Sequence, residues 1–252
     1  MANKIKLGYV LLAGCTGCLV SLTDNYLGFI KILDDYADLV YGITLTDVRH
    51  IPEMDVALVD GSVCIQDHES VENIKETRNK AKVVVALGSC ACFGNINSFC
   101  RGGQHNQPQH ESFLPIGNLI DVDIYIPGCP PSPELIRNVA IMAYLLLQGN
   151  EDQKVLAGKY LKPLMDYTKR RTAGFSDLMD DVISQGLCIA CGICAAACPV
   201  RAITHEFGKP QGDRDLCIKC GSCYGACPRS FFNFDVIPEF EEINEVIDNA
   251  LK

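Results

Sequence analysis

Two runs of the chain read Cys-x2-Cys-x2-Cys-x3-Cys-Pro. The first uses Cys188, Cys191, Cys194 and Cys198 before Pro199, and the second Cys217, Cys220, Cys223 and Cys227 before Pro228. Thiolates are soft ligands, and four of them directed at one point hold a cubane [4Fe-4S] cluster. Three cysteines at short spacing wrap one cluster, while the fourth, set back before the proline, reaches the other. The expected pairing is therefore crossed: Cys188, Cys191, Cys194 and Cys227 on one cluster, Cys217, Cys220, Cys223 and Cys198 on the second. Such a module moves electrons singly. The competing reading, a pair of structural zinc sites, fits poorly, because zinc ligands usually fall into two separated pairs rather than three on adjacent turns.

Four more cysteines stand in glycine-rich turns: Cys15 and Cys18 in Gly14-Cys15-Thr16-Gly17-Cys18, Cys90 in Gly88-Ser89-Cys90-Ala91, and Cys129 in Pro127-Gly128-Cys129-Pro130-Pro131. Each turn follows a predicted strand. In an open parallel sheet such turns emerge together at the carboxyl edge, so four thiolates from three loops can meet at a third metal centre. One cysteine after a strand would read as a small buried hydrophobe, but four on one edge call for a ligand. Asp60, at the end of another strand, either caps the following turn or reaches this centre as an oxygen ligand or a charge partner. Of the remaining cysteines, Cys92 should face the opposite side of its turn and Cys64 should start a helix. Cys100, His105 and His110 could form a zinc site in a loop, although no second close pair supports it.

The elements that must position these residues divide the chain in two. Residues 1–149 alternate apolar runs with amphipathic stretches, the rhythm of an α/β parallel sheet with crossover helices. Strands are expected at 6–12, 41–48, 56–59, 83–87 and 124–126, and helices at 22–35, 68–80 and 133–148. The last helix is punctuated by Ser132 as N-cap, Pro133 at its first position and Gly149 past its end. Residues 94–117 read as a long functional loop, and residues 150–185 as a charged linker with a short helix near 176–184. A small α+β module with two [4Fe-4S] clusters, of the bacterial ferredoxin type, is expected at 186–234, carrying an internal repeat of 188–200 with 217–229. Residues 235–252 form an amphipathic helix with Phe240, Ile243, Val246, Ile247 and Leu251 on one face, expected to pack on its own domain.

Composition removes whole classes of function. The chain has 252 residues, 48% of them hydrophobic, and a net charge of -9, so it can bury a core and has no basic stripe with which to bind nucleic acid. Fifteen cysteines at metal-ligand spacing, rather than as a disulfide framework, indicate a reducing compartment, the cytoplasm. Leu12-Ala13-Gly14-Cys15 imitates a lipoprotein cleavage box, but the preceding apolar run is short and Lys6 interrupts it, so a buried first strand is the better reading. The apolar stretch 135–147 is too short to span a bilayer and contains Arg137.

Taken in order, Cys15-Thr-Gly-Cys18, Gly88-Ser-Cys90-Ala and Pro127-Gly-Cys129-Pro-Pro resemble the proximal-cluster loops of the small, electron-transferring subunits of nickel-iron hydrogenases. With the doubled ferredoxin motif the chain is similar over its whole length to the gamma subunits of the coenzyme F-420-reducing group. The resemblance implies a flavodoxin-like first domain and three [4Fe-4S] clusters, with Asp60 where relatives place a carboxylate beside the proximal one. It implies a nickel-iron centre on a large (alpha) partner subunit, and FAD on a beta subunit that binds F-420, in a higher-order complex. Electrons from hydrogen would enter at Cys15, Cys18, Cys90 and Cys129 and leave through the tandem module, with no catalytic acid, base or nucleophile on this chain. A related Complex I subunit shares two of the loops but carries adjacent cysteines where this chain has Cys15-x2-Cys18. The remaining alternatives are the small subunit of another cytoplasmic hydrogenase, linked to NAD(P), polysulfide or heterodisulfide, and a free-standing electron carrier.

Overall fold

The computed structural model of the protein describes residues 4–94, 113–166, 174–206, 208–230 and 241–251; Cys100, His105, His110 and Phe240 lie outside them. Five parallel strands form the main sheet: β1 (Ile5–Leu11), β2 (Ala37–Gly42), β3 (Met54–Asp60), β5 (Ala81–Leu87) and β7 (Ile124–Ile126), in the order β2-β1-β3-β5-β7. This is the flavodoxin order, in which the reversal lies between β1 and β3 and ligands gather beyond the carboxyl ends of the strands. A second pair, β4 (Val63–Cys64) and β6 (Phe113–Leu114), is antiparallel and sits apart from the sheet.

Period-two alternation splits the sheet into two buried faces. Leu7, Tyr9, Val56, Leu58, Val85 and Leu87 face one core and Val10, Ala57, Val59, Val84 and Ala86 the other. Helices α1 (Gly17–Thr23), α5 (Pro133–Gln148) and α6 (Glu151–Met165) cover the first face; α3 (His68–Lys80) and α4 (Gly88–Phe93) cover the second. The start of α5 follows its sequence punctuation, with Ser132 Oγ accepting from the Leu135 amide at 3.2 Å.

Several expected elements are revised. The second strand is Ala37–Gly42 rather than 41–48: residues past Gly42 turn back, with Thr46 N–H donating to the Gly42 carbonyl at 2.7 Å, and Ile43 and Leu45 are exposed. Their alternation imitated a strand without a core to bury it. The expected helix at 22–35 is broken at Tyr26, whose φ is 49°, into α1 and α2 (Leu27–Lys31), followed by a wide turn at Ile32–Tyr36. Cys64 lies in β4, not at a helix start; α3 begins after Asp67.

The stretch read as a charged linker contains α6, closed by a capping box between Asn150 and Gln153. It packs on α5 through Ala157, Tyr160, Leu161 and Leu164. Its many charges and Pro163 hid a stripe at 157, 160, 161 and 164, which is helical spacing. The short helix near 176–184 is Phe175–Leu178 continued by a wide turn at Met179–Ile183. The C-terminal helix Glu241–Leu251 packs on α5 and α6; Ile247 is buried and Tyr36 O–H donates to the Ala250 carbonyl at 2.7 Å.

Candidate metal centres

In the cysteine-rich module the two halves of the repeat share one backbone path. Ala190 and Lys219 take φ values of 57° and 54°, and Gly192 and Gly221 values of 80° and 76°, before the one-turn helices Ile193–Ala196 and Ser222–Gly225. Positive φ at these points folds the chain around the thiols and turns amides inward, a conformation glycine adopts freely. The Ala190 amide donates to Cys188 Sγ at 3.5 Å and the Ala202 amide to Cys198 Sγ at 3.2 Å.

The module encloses two cavities. One is lined by Cys188, Cys191, Cys194 and Cys227, the other by Cys198, Cys217, Cys220 and Cys223. Each lining thus takes three cysteines from one repeat and the last cysteine of the other. Among the described residues no group of three or more His, Cys, Asp or Glu is placed to hold a single metal ion. Burial pushes the thiols of Cys194, Cys223 and Cys227 up, so binding a cluster through them would displace protons.

The strand-edge cysteines follow β1, β5 and β7. Cys18 is buried at the start of α1, whereas Cys15 and Cys129 are exposed and Cys90 is half-buried. A side chain at Gly88, whose φ is +82°, would overlap Cys18 Sγ, so only glycine lets the β5 turn come this close. Asp60, 2% exposed, ends β3 on the same face as Tyr9. Tyr9 O–H donates to Asp60 Oδ2 at 2.7 Å, and the Cys18 thiol and the Gly61 amide are its other donors. Burial raises the Asp60 carboxyl against these hydrogen bonds, while burial first and Asp60 second raise the Cys18 thiol; Cys90 and Cys15 add to it. Cys92 turns away from this edge into the second core, its thiol donating to the Ala86 carbonyl at 3.4 Å.

One residue that the sequence did not single out ties the two regions together. Ser89, 1% exposed, accepts from the Gly128 amide at 3.2 Å, and its own amide donates to the Gly128 carbonyl at 2.8 Å. Its hydroxyl donates to the carbonyl of Cys220. The turns carrying Cys90 and Cys129 are therefore hydrogen-bonded to each other and to a cysteine loop of the module, whose Cys194, Cys223 and Cys227 share the first-face core of the sheet.

An α/β sheet with cysteines at its carboxyl edge, continuous with a doubled four-cysteine module, defines an iron-sulfur electron-transfer protein. Residues 15–143 match the family model described as NADH ubiquinone oxidoreductase, 20 Kd subunit, and residues 181–204 and 210–232 match the 4Fe-4S binding domain. The chain is 81% identical to the coenzyme F420 hydrogenase subunit gamma of Methanosarcina barkeri, over 100% of this chain and 98% of the relative. It is 42% identical to the protein of the same name from Methanococcus voltae, over 82% of this chain and 87% of the relative. An actinobacterial-type NiFe-hydrogenase structure from Ralstonia eutropha H16 shares the fold over 98% of this chain and 90% of that one, with a TM-score of 0.50 at 15% identity. The chain belongs to the coenzyme F420 hydrogenase gamma subunits. No helix among the described residues is long and apolar enough to cross a membrane.

Proposed function

We propose that this chain carries electrons inside a cytoplasmic nickel-iron hydrogenase, from a hydrogen-splitting large (alpha) subunit to a beta subunit whose FAD reduces coenzyme F-420. The observation that carries the reading is the pair of four-cysteine cavities joined by Ser89 to a strand edge bearing four further cysteines. Three [4Fe-4S] clusters bound at these thiolates would supply one-electron acceptance and release with little rearrangement of the protein.

The hydrogen bonds of Ser89 support an order for the clusters. Ser89 binds the Cys90 and Cys129 turns to the Cys220 backbone, so the cavity of Cys198, Cys217, Cys220 and Cys223 is the one adjoining the strand edge. That of Cys188, Cys191, Cys194 and Cys227 is then the outer one. Exposure of Cys15 and Cys129 supports docking of the alpha subunit at the strand-edge site. Asp60, held by the Tyr9 hydroxyl and the Gly61 amide, stands beside Cys18 either as an oxygen ligand of the strand-edge cluster or as its charge and proton partner. No side chain here need act as an acid, base or nucleophile on substrate.

The test is hydrogen-driven reduction by the purified complex of F-420 compared with NAD(P), alongside iron, nickel and flavin analysis. The reading expects F-420 to be reduced and about twelve irons per gamma chain. Preferential reduction of NAD(P), or a colourless chain without iron, would overturn it.

A further inference from the structure

The outer cavity contains a side chain that the cysteine motifs do not explain. His205 is the one histidine between residues 186 and 234, and it lies outside the repeated segments. It sits on β8 (Ile203–Glu206), which pairs antiparallel with β9 (Lys209–Gly212), His205 opposite Pro210. Alternation along β8 leaves Thr204 and Glu206 exposed and turns Ile203 and His205 inward. His205 lines the cavity of Cys188, Cys191, Cys194 and Cys227, with Nε2 3.4 Å from Cys194 Sγ.

We propose that His205 sets the reduction potential of the outer cluster through a hydrogen bond from Nε2–H to Cys194 Sγ. The proposal rests on the reading that these four cysteines hold a cluster. A cysteine bound to iron has no proton and can only accept, so at this distance the ring nitrogen must be the donor. Cys194 is 6% exposed, and water therefore competes little for the sulfur. Reduction adds negative charge to the cluster and its thiolates, and a donor at the sulfur favours that charge; hydrogen bonds to sulfur are among the factors that set cluster potentials. In the inner cavity a different side-chain contact is present, Ser222 Oγ at 3.4 Å from Cys220 Sγ. Ser222 occupies the repeat position of Ile193. The two cavities thus have non-equivalent side-chain donors, which lets the outer cluster be tuned separately from the inner one.

The test is a redox titration of the purified complex followed by low-temperature electron paramagnetic resonance, with His205→Leu and His205→Gln variants and iron counted in each. His205→Leu should lower the midpoint of one of the three cluster signals by about tenfold in its one-electron equilibrium, about 59 mV. The other two should stay in place and the iron content should be complete. His205→Gln, which keeps an N–H at similar reach, should restore most of the shift. Three unmoved midpoints at full iron content would overturn the proposal, as would a common shift of all three, or loss of one cluster's iron in both variants. Absence of iron from the wild-type chain would instead overturn the cluster reading itself.

Discussion

Gly128 offers the sharpest perturbation of the strand edge, because it precedes Cys129 and its neighbours on the inner side are backbone atoms. Its φ is +141°, and a Cβ there would stand 2.6 Å from Pro131 Cα, 2.7 Å from Pro131 N and 3.0 Å from the Pro130 carbonyl oxygen. Ordinary contact begins at 3.4 Å, so Gly128→Ala must move the turn by about 0.8 Å, whereas metal-ligand distances tolerate only about 0.2 Å. The backbone conformation adds about 1–3 kcal/mol and overpacking a similar amount. A loss of that size can be met by giving up the local site while the rest of the chain stays folded. Purified with its partners, the variant should fall from about twelve to about eight irons per chain, lose the strand-edge resonance, and stop reducing F-420 with hydrogen. Gly158→Ala, on α6 with open space around it, is the control and should be neutral or stabilising by about 0.5–1 kcal/mol. A Gly128→Ala complex with full iron content and an unchanged spectrum would refute the steric argument.

Ser89→Ala leaves the Gly128 amide and the Cys220 carbonyl without their hydroxyl partner, at about 1–3 kcal/mol for each buried group. Hydrogen exchange should quicken in the turns around Cys90, Cys129 and Cys220; unchanged protection would deny the tie. Asp60→Ala should alter the resonance and potential of the strand-edge cluster alone, and an unaltered signal would remove Asp60 from its surroundings. Ile247→Ala, at a position 2% exposed, should cost about 2–5 kcal/mol of local packing and release the C-terminal helix from α5 and α6, read as faster proteolysis within 241–251.

Much of this arrangement was legible in residue order because the chemistry is local. The Cys-x2-Cys-x2-Cys-x3-Cys spacing anticipates the partition of eight cysteines between two cavities, and α3 and α5 fall where periodicity and caps place them. What escaped depends on distant parts of the chain. The edge strand Ala37–Gly42 has only β1 as a neighbour in the sheet, and the alternation of Tyr41, Ile43 and Leu45 drew the prediction past its end. Helix α6 was masked by charge although its buried stripe was present. Ser89 gave no signal beyond its place between Gly88 and Cys90, since its role depends on a carbonyl 131 positions away. Tyr9 looked like core, and only the parity of β1 and β3 aligns it with Asp60.

The central claim is that electrons leave the strand edge through the tandem module, and the complex carrying Cys217→Ser tests it most directly. Hydrogen-driven reduction of a one-electron dye and of F-420 should be measured side by side. The account predicts that dye reduction persists, because the strand-edge site is intact, while F-420 reduction is lost with the inner cavity. Undiminished F-420 reduction in a variant shown to lack that cluster's iron would contradict it.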